Sequence, residues 1–241
     1  MGRRTATAAA AAILPLAVAC SGGDDRPAST KPAAAAAGRC AAVTPGVSLP
    51  QTFPEAPAPT NDPAKTYVLV METTCGTIRA QLLSTEAPAT VSSVRFLAEK
   101  QYFDGSFCHR ATRSLKLTVV QCGDPSGSGA GGPGYTIPEE NLPTPAAGST
   151  LASYPRGTIA MARRSEPHST GSQFFMVVKD SMLPPSYTVF ARITSGIEAL
   201  DAVLANGIAD SDEDPANGLD GAPRRTVYLT SVRVETETAT R

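Results

Sequence analysis

Residues 171–178 read Gly-Ser-Gln-Phe-Phe-Met-Val-Val, and this stretch decides the fold class. A run of aromatic and β-branched residues that follows a glycine is typical of a short strand. Similar short segments recur on both sides of it along the chain. They predict further strands at residues 67–71, 77–82, 107–111, 117–122, 157–162, 187–193 and 226–234.

Two segments have helical spacing instead. The first opens at residues 87–90, where Thr90 is a candidate N-cap, and ends near Lys100. The second covers residues 196–204. Many short strands with only two short helices favour a mainly β protein built as a closed or nearly closed barrel.

The N-terminal quarter of the chain differs in composition from the rest. It is rich in Ala and Pro and nearly free of aromatic residues, so it cannot bury a core of its own. Proline-rich sequence favours extended, semi-rigid segments. We therefore predict four regions: a signal peptide at 1–19, a tether at 20–64, a single folded domain at 65–236 and a short tail at 237–241.

The first twenty residues have the character of an export signal. Arg3 and Arg4 precede an apolar run at 8–19 that is too short to span a bilayer comfortably, and small residues lead to Cys20. The segment resembles a bacterial lipoprotein signal peptide, which implies that Cys20 carries a lipid and becomes the first mature residue. The alternative is an ordinary signal peptide, with Cys20 discarded or free. The lipoprotein reading predicts an exported protein anchored to the outer side of the cell membrane.

Charge and composition exclude several classes of function. The net charge is −1, from 21 basic and 22 acidic residues, and no broad basic face is expected, so nucleic acid is not a predicted partner. The chain has no Cys-x-x-Cys motif and only two histidines, which argues against a redox or zinc site. Residues 210–214 alternate Asp like a calcium loop, but Pro215 stands where such a loop requires Gly. We predict no metal and no cofactor.

A glycine-rich segment at 123–135 invites comparison with phosphate-binding loops. It lacks the Gly-Lys-Ser/Thr ending, and its two prolines remove backbone donors. We therefore predict a long surface loop with several positive φ angles rather than a nucleotide site.

The block from Thr85 to Val234 resembles the cyclophilins, which are peptidyl-prolyl cis-trans isomerases. The resemblance rests on several short motifs in the family's order: residues 87–91, 102–105, 109–110, 121–125, 131–135, 157–162, 171–175 and 188–190. It implies a closed eight-stranded antiparallel barrel, capped by two helices, with the active groove on one outer face. It also implies that the substrates are proline-containing segments, here of exported proteins.

The resemblance assigns roles to individual residues. Arg110 would donate a hydrogen bond to the proline nitrogen of a twisted amide, and Gln121 would bind the substrate backbone beside it. Phe175 would form the floor of the proline pocket. Further groove positions matched to the family are His109, Thr118, Val119, Ala162, Arg163, Gln173, Met182, Leu183 and Tyr187.

The groove also departs from the family pattern. Three extra residues lengthen the hairpin between Arg110 and Gln121, and Thr118 and Val119 stand where Phe and Met are usual, unless Leu115 or Leu117 fills the gap. Met182 replaces a common Trp, which implies weak cyclosporin binding. We predict an altered peptide preference. The alternative is a non-catalytic module that binds proline segments.

Four cysteines remain beyond Cys20, which allows three pairings. The family alignment places Cys108 and Cys122 on paired strands, implying a Cys108–Cys122 disulfide and leaving Cys40–Cys75 to fasten the tether to the first hairpin. The alternative leaves one pair reduced and buried. We expect a monomer.

Overall fold

Short antiparallel strands make up most of the folded part of the protein. The computed structural model describes residues 1–2, 40–42, 48, 50–209 and 219–238. The chain divides into two units, Met1–Ala33 and Ala34–Arg241, and all the described elements belong to the second. These are β1 Lys65–Thr73, β2 Gly76–Leu82, α1 Pro88–Glu99, β3 Arg110–Arg113, β4 Thr118–Cys122, β5 Ala152–Tyr154, β6 Thr158–Met161, β7 Phe174–Lys179, β8 Ser181–Leu183, β9 Val189–Ser195, α2 Glu198–Ala205, β10 Leu219–Gly221 and β11 Leu229–Thr238.

The mainly β class with two helices is confirmed, but the closed eight-stranded barrel is wrong for the described residues. Nine strands form one sheet in the order β10-β3-β4-β7-β6-β9-β2-β1-β11, and β5 pairs with β8 separately. The sheet is open because β10 occupies the free edge of β3. Residues 104–108, which precede β3, contact the first part of β11 and the segment before it; for example, the Cys108 amide donates to the Val227 carbonyl at 2.8 Å.

Alternation along β7 gives the sheet two apolar faces. Phe174, Met176 and Val178 lie in the main core with α1 and α2. Phe175 and Val177 point the other way, into a smaller apolar cluster that β5 and β8 help to cover. Because successive strand residues face opposite sides, one strand contributes to both the core and the outer groove.

Helix α1 is capped differently from the prediction. Its N-cap is Ala87, not Thr90, and no side chain of the cap residue itself bonds to the helix. Instead Glu140 accepts hydrogen bonds from the backbone amides of Ala89 and Thr90, both at 3.1 Å, and from the Thr90 hydroxyl at 3.0 Å. A carboxylate is favourable there because the first amides of a helix lack partners and the N-terminus is partly positive.

The last part of the predicted tether lies against the domain. Phe53 packs on Phe96 of α1 with ring centroids 4.9 Å apart, and Asn61 donates to the Pro88 carbonyl at 2.8 Å. The rest of the tether, the signal peptide with Cys20 and the acidic residues 210–214 lie outside the described residues, apart from a few single positions. None of the described helices is long and apolar enough to cross a membrane.

Candidate active site

Strand register sets three predicted site residues side by side. Arg110 on β3 is the cross-strand partner of Gln121 on β4, and Gln121 is the partner of Phe175 on β7. Cross-strand partners share a face of the sheet, so the three side chains form one row on its outer face. This is the arrangement that the predicted roles require.

The Arg110 guanidinium is held on two sides. Its Nε and Nη2 donate to the two carboxylate oxygens of Asp220 at 2.8 and 2.7 Å, and its Nη1 donates to Gln121 Oε1 at 3.1 Å. A guanidinium has five N–H groups, so one on each terminal nitrogen remains for a ligand. The Asp220 hydrogen bonds raise the pKa of Arg110 further, while Arg110 lowers the pKa of Asp220. The site therefore offers a permanently charged, oriented donor.

Asp220 was not among the predicted site residues. It lies on the three-residue strand β10, directly across from Thr112, whose hydroxyl donates to Asp220 Oδ1 at 3.1 Å. A strand of three residues has too few positions to show a periodic pattern. The sequence holds only one hint, an isolated acidic residue between Leu219 and Gly221.

Gln121 continues the hydrogen bonds into the glycine-rich loop. Its Nε2 donates to Gln173 Oε1 at 2.9 Å. Gln173 Nε2 donates in turn to the carbonyls of Gly129 and Gly131 at 3.0 and 2.9 Å. Arg110 and the loop are therefore connected through two glutamines, with each amide group both donating and accepting.

A cavity of about 200 Å³, lined by both apolar and polar side chains, lies beside this row. Phe175 forms part of its wall, and the Phe175 ring packs edge-on against Tyr187 at 5.4 Å between centroids. The nine lining residues are Arg110, Leu117, Val119, Gln121, Ala162, Arg163, Phe175, Leu183 and Tyr187. A pocket with apolar side chains on its wall and the Arg110 guanidinium beside it can hold a proline ring with its nitrogen facing the donor.

Three predicted groove residues line neither this cavity nor the larger one beside it. Thr118 is buried, with its amide donating to Ser181 Oγ at 3.1 Å. Because successive residues of a strand face opposite sides of the sheet, Thr118 points away from the groove, whereas Leu117 and Val119 lie on the same side as Gln121 and line the cavity. Met182 is 41% exposed, because it alternates with Leu183 along β8.

His109 is the third of these residues. Both of its ring nitrogens are buried without a hydrogen-bond partner. Burial lowers the pKa of His109, and Arg110 acts in the same direction although Asp124 opposes it. The ring is therefore neutral at pH 7 and packs as an uncharged group next to Gly129, which agrees with a supporting role.

The second cavity, of about 550 Å³, adjoins the first and shares Gln121, Ala162 and Arg163 with it. Residues of the glycine-rich loop form one side, and Arg164, Ser169 and Gln173 contribute to the other. The loop has positive φ at Gly123, Gly127, Gly129 and Gly134, as predicted. Together the two cavities form a continuous groove.

Both predicted disulfides are present. Cys108–Cys122 joins the segment before β3 to the end of β4, with 4.0 Å between Cα atoms, and it therefore flanks Arg110 and Gln121. Cys40–Cys75 joins the tether to the turn between β1 and β2. No cluster of metal-binding side chains occurs within the ranges that the structure describes.

We expect Asp220→Asn to lower kcat for isomerisation of an X-Pro peptide about ten-fold, with KM nearly unchanged. Asn has a single acceptor oxygen, so it cannot accept from both Nε and Nη2 of Arg110. Hydrogen bonds to charged groups contribute about 1.5–3 kcal/mol. The lowered pKa of Asp220 keeps this carboxylate ionised in mild acid, so the wild-type rate should hold until the pH falls toward that pKa.

Asp201→Asn is the matched control for Asp220→Asn. Asp201 accepts two hydrogen bonds from Arg156, at 2.9 and 2.7 Å, away from both cavities. Equal rates for Asp220→Asn and wild type in a steady-state assay would show that Gln121 alone orients Arg110.

Comparison with known proteins agrees with this geometry. The family model for cyclophilin type peptidyl-prolyl cis-trans isomerases matches residues 68–234. The chain is 43% identical over 197 residues to "Probable peptidyl-prolyl cis-trans isomerase B" of Mycobacterium tuberculosis (strain ATCC 25618 / H37Rv), covering 78% of this chain and 59% of that protein. It is 34% identical over 151 residues to "Peptidyl-prolyl cis-trans isomerase" of Helicobacter pylori, covering 61% of this chain and 86% of that protein.

A similar fold occurs in a solved structure of a Cryptosporidium parvum cyclophilin type peptidyl-prolyl cis-trans isomerase. The TM-score is 0.54 at 21% identity, covering 71% of this chain and 99% of that one. The chain spans only about three fifths of the mycobacterial relative, as the 59% coverage states. From the family match across most of the folded unit and the order of its site residues, the chain belongs to the cyclophilin type peptidyl-prolyl cis-trans isomerase family.

Proposed function

We propose that the protein catalyses cis-trans isomerisation of X-Pro bonds in exported proteins and acts outside the cytoplasm. The observation that carries the catalytic part is the placement of Arg110. Its guanidinium is held by Asp220 and Gln121 beside the smaller cavity, with two N–H groups left for a ligand. Family membership supports the same reaction.

The chemistry follows from the amide bond itself. Rotation about an X-Pro bond meets a barrier of about 20 kcal/mol, because the planar amide is stabilised by resonance. No bond is made or broken, so the enzyme must bind the twisted amide more tightly than either planar form. Twisting leaves a lone pair on the proline nitrogen, and Arg110 can donate to it. The cavity around Phe175 would hold the ring while Gln121 binds the flanking backbone.

The test is the rate at which an Ala-Pro tetrapeptide equilibrates with and without the protein, followed by a coupled protease assay or by NMR exchange. We expect the rate to rise linearly with protein concentration above the uncatalysed rate. A rate equal to the uncatalysed one at micromolar protein would contradict the proposal.

A second candidate function is a non-catalytic module that binds proline segments. It is favoured by the cavity wall, where Leu117 and Val119 stand in place of larger residues. Such a module would bind a proline peptide, measured by calorimetry, with no acceleration of isomerisation. The pair of measurements therefore separates the two functions.

Export and lipid anchoring are proposed from the sequence around Cys20. Labelling cells with a radioactive fatty acid should mark the wild-type protein, and the Cys20→Ala variant should lose both the label and its recovery in the membrane fraction. An unlabelled wild type would favour an ordinary signal peptide.

Two smaller expectations concern binding and assembly. We propose that cyclosporin inhibits the protein weakly, since Met182 replaces the usual Trp and lies outside the smaller cavity. We also propose a monomer. Titration of the catalysed rate with cyclosporin tests the first expectation. Light scattering after gel filtration gives the molar mass and tests the second.

The charge of the larger cavity predicts the peptide preference. Arg163 and Arg164 line it, no carboxylate is among its lining residues, and neither arginine forms a salt bridge with a described residue. Among the described residues, the Arg164 guanidinium donates only to the Ala130 carbonyl, at 2.9 Å. An acidic residue near the proline should therefore be preferred over lysine, by up to about five-fold for a partly exposed pair worth about 1 kcal/mol.

Arg164→Ala should remove much of this preference, and Arg164→Glu should reverse it. The measurement is kcat/KM by NMR exchange for Ala-Pro peptides carrying Glu or Lys at each flanking position. Arg113→Ala removes an exposed arginine that lines neither cavity and is the matched control. An unchanged Glu-to-Lys ratio in Arg164→Ala would contradict the prediction.

A further inference from the structure

The segment at residues 50–62, here called the arm, lies along α1 and ends at the first strand. Prolines at 50, 54, 57 and 59 keep it extended. Near its C-terminal end, Asn61 donates to the Pro88 carbonyl and accepts from Ser92 and Arg95 of α1. The arm is therefore fixed to the domain at the end closest to β1.

The other end of the arm contacts the glycine-rich loop. The Phe53 amide donates to the Pro133 carbonyl at 2.8 Å. Gly134 has φ of +90°, and a Cβ there would lie 2.9 Å from the Phe53 carbonyl oxygen and 3.2 Å from Thr52 Cβ. The loop thus packs directly on the backbone of the arm, and no larger residue fits at this contact.

The same loop forms one side of the larger cavity. On this side the cavity is lined by Gly129, Gly131, Gly132, Pro133, Gly134 and Tyr135. The carbonyls of Gly129 and Gly131 accept from Gln173, which is hydrogen-bonded to Gln121 and through it to Arg110. A shift of the loop would therefore remove the acceptors of Gln173 Nε2.

Contacts inside the domain hold the loop at two further points. The Asp124 carboxylate accepts from the amides of Gly129 and Gly131, at 2.7 and 3.1 Å, and a hydrogen bond of 2.9 Å joins the hydroxyls of Tyr135 and Ser93. Between these points, residues 132–134 form no other backbone hydrogen bond among those of the described chain. Within the described chain, the Phe53 amide is therefore the backbone hydrogen-bond partner of this middle part, and Pro133 also lies against Gly171.

We propose that the arm is a positioning element of the active site. It sets the middle of the glycine-rich loop, and the loop sets the larger cavity and the orientation of Gln173. The proposal rests on the proposed isomerase function for its kinetic consequence, although its structural consequence can be measured without activity. Segment 50–62 then belongs to the working domain and not to a passive tether.

Three full-length variants test the arm. Phe53→Ala removes the ring but keeps the amide donor, and Phe53→Pro removes both. Asn61→Ala is the matched control, because it removes three hydrogen bonds that fix the arm to α1 but leaves the contact with the loop. Thermal unfolding of each variant shows whether any difference follows overall stability.

The first measurement is hydrogen exchange of peptides that cover residues 127–135. We expect exchange about ten-fold faster in Phe53→Pro than in wild type, an intermediate increase in Phe53→Ala and no increase in Asn61→Ala. The second is kcat/KM for a short Ala-Pro tetrapeptide and for an eight-residue peptide that can extend into the larger cavity. Phe53→Pro should lower the value for the long peptide about five-fold and the value for the short peptide less than two-fold.

The outcomes separate this proposal from the proposed function. Equal exchange in Phe53→Pro and wild type would overturn the arm's role, whatever the activity. Equal losses on the short and long peptides would also overturn it, because the larger cavity would then not be the part affected. An inactive wild type whose loop exchange still responds to Phe53→Pro would reject the isomerase function and retain the structural coupling.

Discussion

Replacing Arg110 with alanine is expected to lower kcat/KM for X-Pro isomerisation by about 10²–10³-fold, because removal of one preoriented donor to a developing charge costs about 2.7–4 kcal/mol. The loss should appear in kcat, since the cavity around Phe175 still holds the proline ring. The measurement is the catalysed rate for an Ala-Pro tetrapeptide over a range of peptide concentrations.

Arg156→Ala is a close control for Arg110→Ala. Its guanidinium also forms two hydrogen bonds with one aspartate, and its side chain is 38% exposed against 39% for Arg110. It lies in neither cavity, so its activity should match wild type. A loss of similar size in both variants would mean that the effect is on folding and not on the reaction.

Arg110→Lys should recover only part of the lost rate. Lysine keeps the positive charge but offers a single nitrogen, so it cannot bond Asp220 at two atoms, reach Gln121 and still direct a donor into the cavity. Full activity in Arg110→Lys would show that charge alone suffices, which would remove the need for the Asp220 contact.

The second large effect concerns stability. The double variant Cys108→Ala/Cys122→Ala removes a disulfide that closes a loop of sequence separation 14. A loop of this size contributes about 3 kcal/mol to the free energy of unfolding, mainly by restricting the unfolded chain. We expect the unfolding midpoint to fall by about 6–12 °C, at 2–4 °C per kcal/mol for a domain of this size.

The Cys108→Ala/Cys122→Ala variant should lose stability but keep most of its activity. The pairing of Arg110 with Gln121 is made by backbone bonds between β3 and β4, so kcat/KM at 25 °C should stay within about three-fold of wild type. Cys40→Ala/Cys75→Ala is the control, since it removes a disulfide remote from the groove. Thermal unfolding followed by circular dichroism measures the midpoint of each variant, and the catalysed rate for an Ala-Pro tetrapeptide measures its kcat/KM. An unchanged midpoint for the Cys108–Cys122 variant would contradict the prediction.

Short motifs in the sequence located most of the groove. Arg110, Gln121 and Phe175 were each matched to a family motif, and the strand register sets them in one row. The alternation of Phe174 and Phe175 also follows from the sequence, because successive strand residues face opposite sides. The motif matches and the strand alternation each depend on residues that are close in the sequence, so sequence patterns can predict them.

The wall of the smaller cavity was harder to predict. The spacing from Gln121 predicts Thr118 and Val119 there, with Leu117 as an alternative, and the cavity is lined by Val119 and Leu117. Thr118 points to the other side, because it alternates with Val119 along the strand. The extra residues between Arg110 and Gln121 leave the family register open at this point, and the pairing of β4 with β3 and β7 sets it.

The mainly β class and the choice of Arg110, Gln121 and Phe175 as groove residues were determined by the sequence itself, through strand alternation and motifs that are local in the chain, and strand register then sets the three side by side. Only the tertiary structure decided three other features: Asp220 as the partner of Arg110, Glu140 as the cap of α1, and the arm as the support of the glycine-rich loop. Each joins residues that are far apart in the chain, from a separation of 50 between Thr90 and Glu140 to a separation of 110 between Arg110 and Asp220. Such contacts depend on the path of the whole chain, and local propensity cannot specify them.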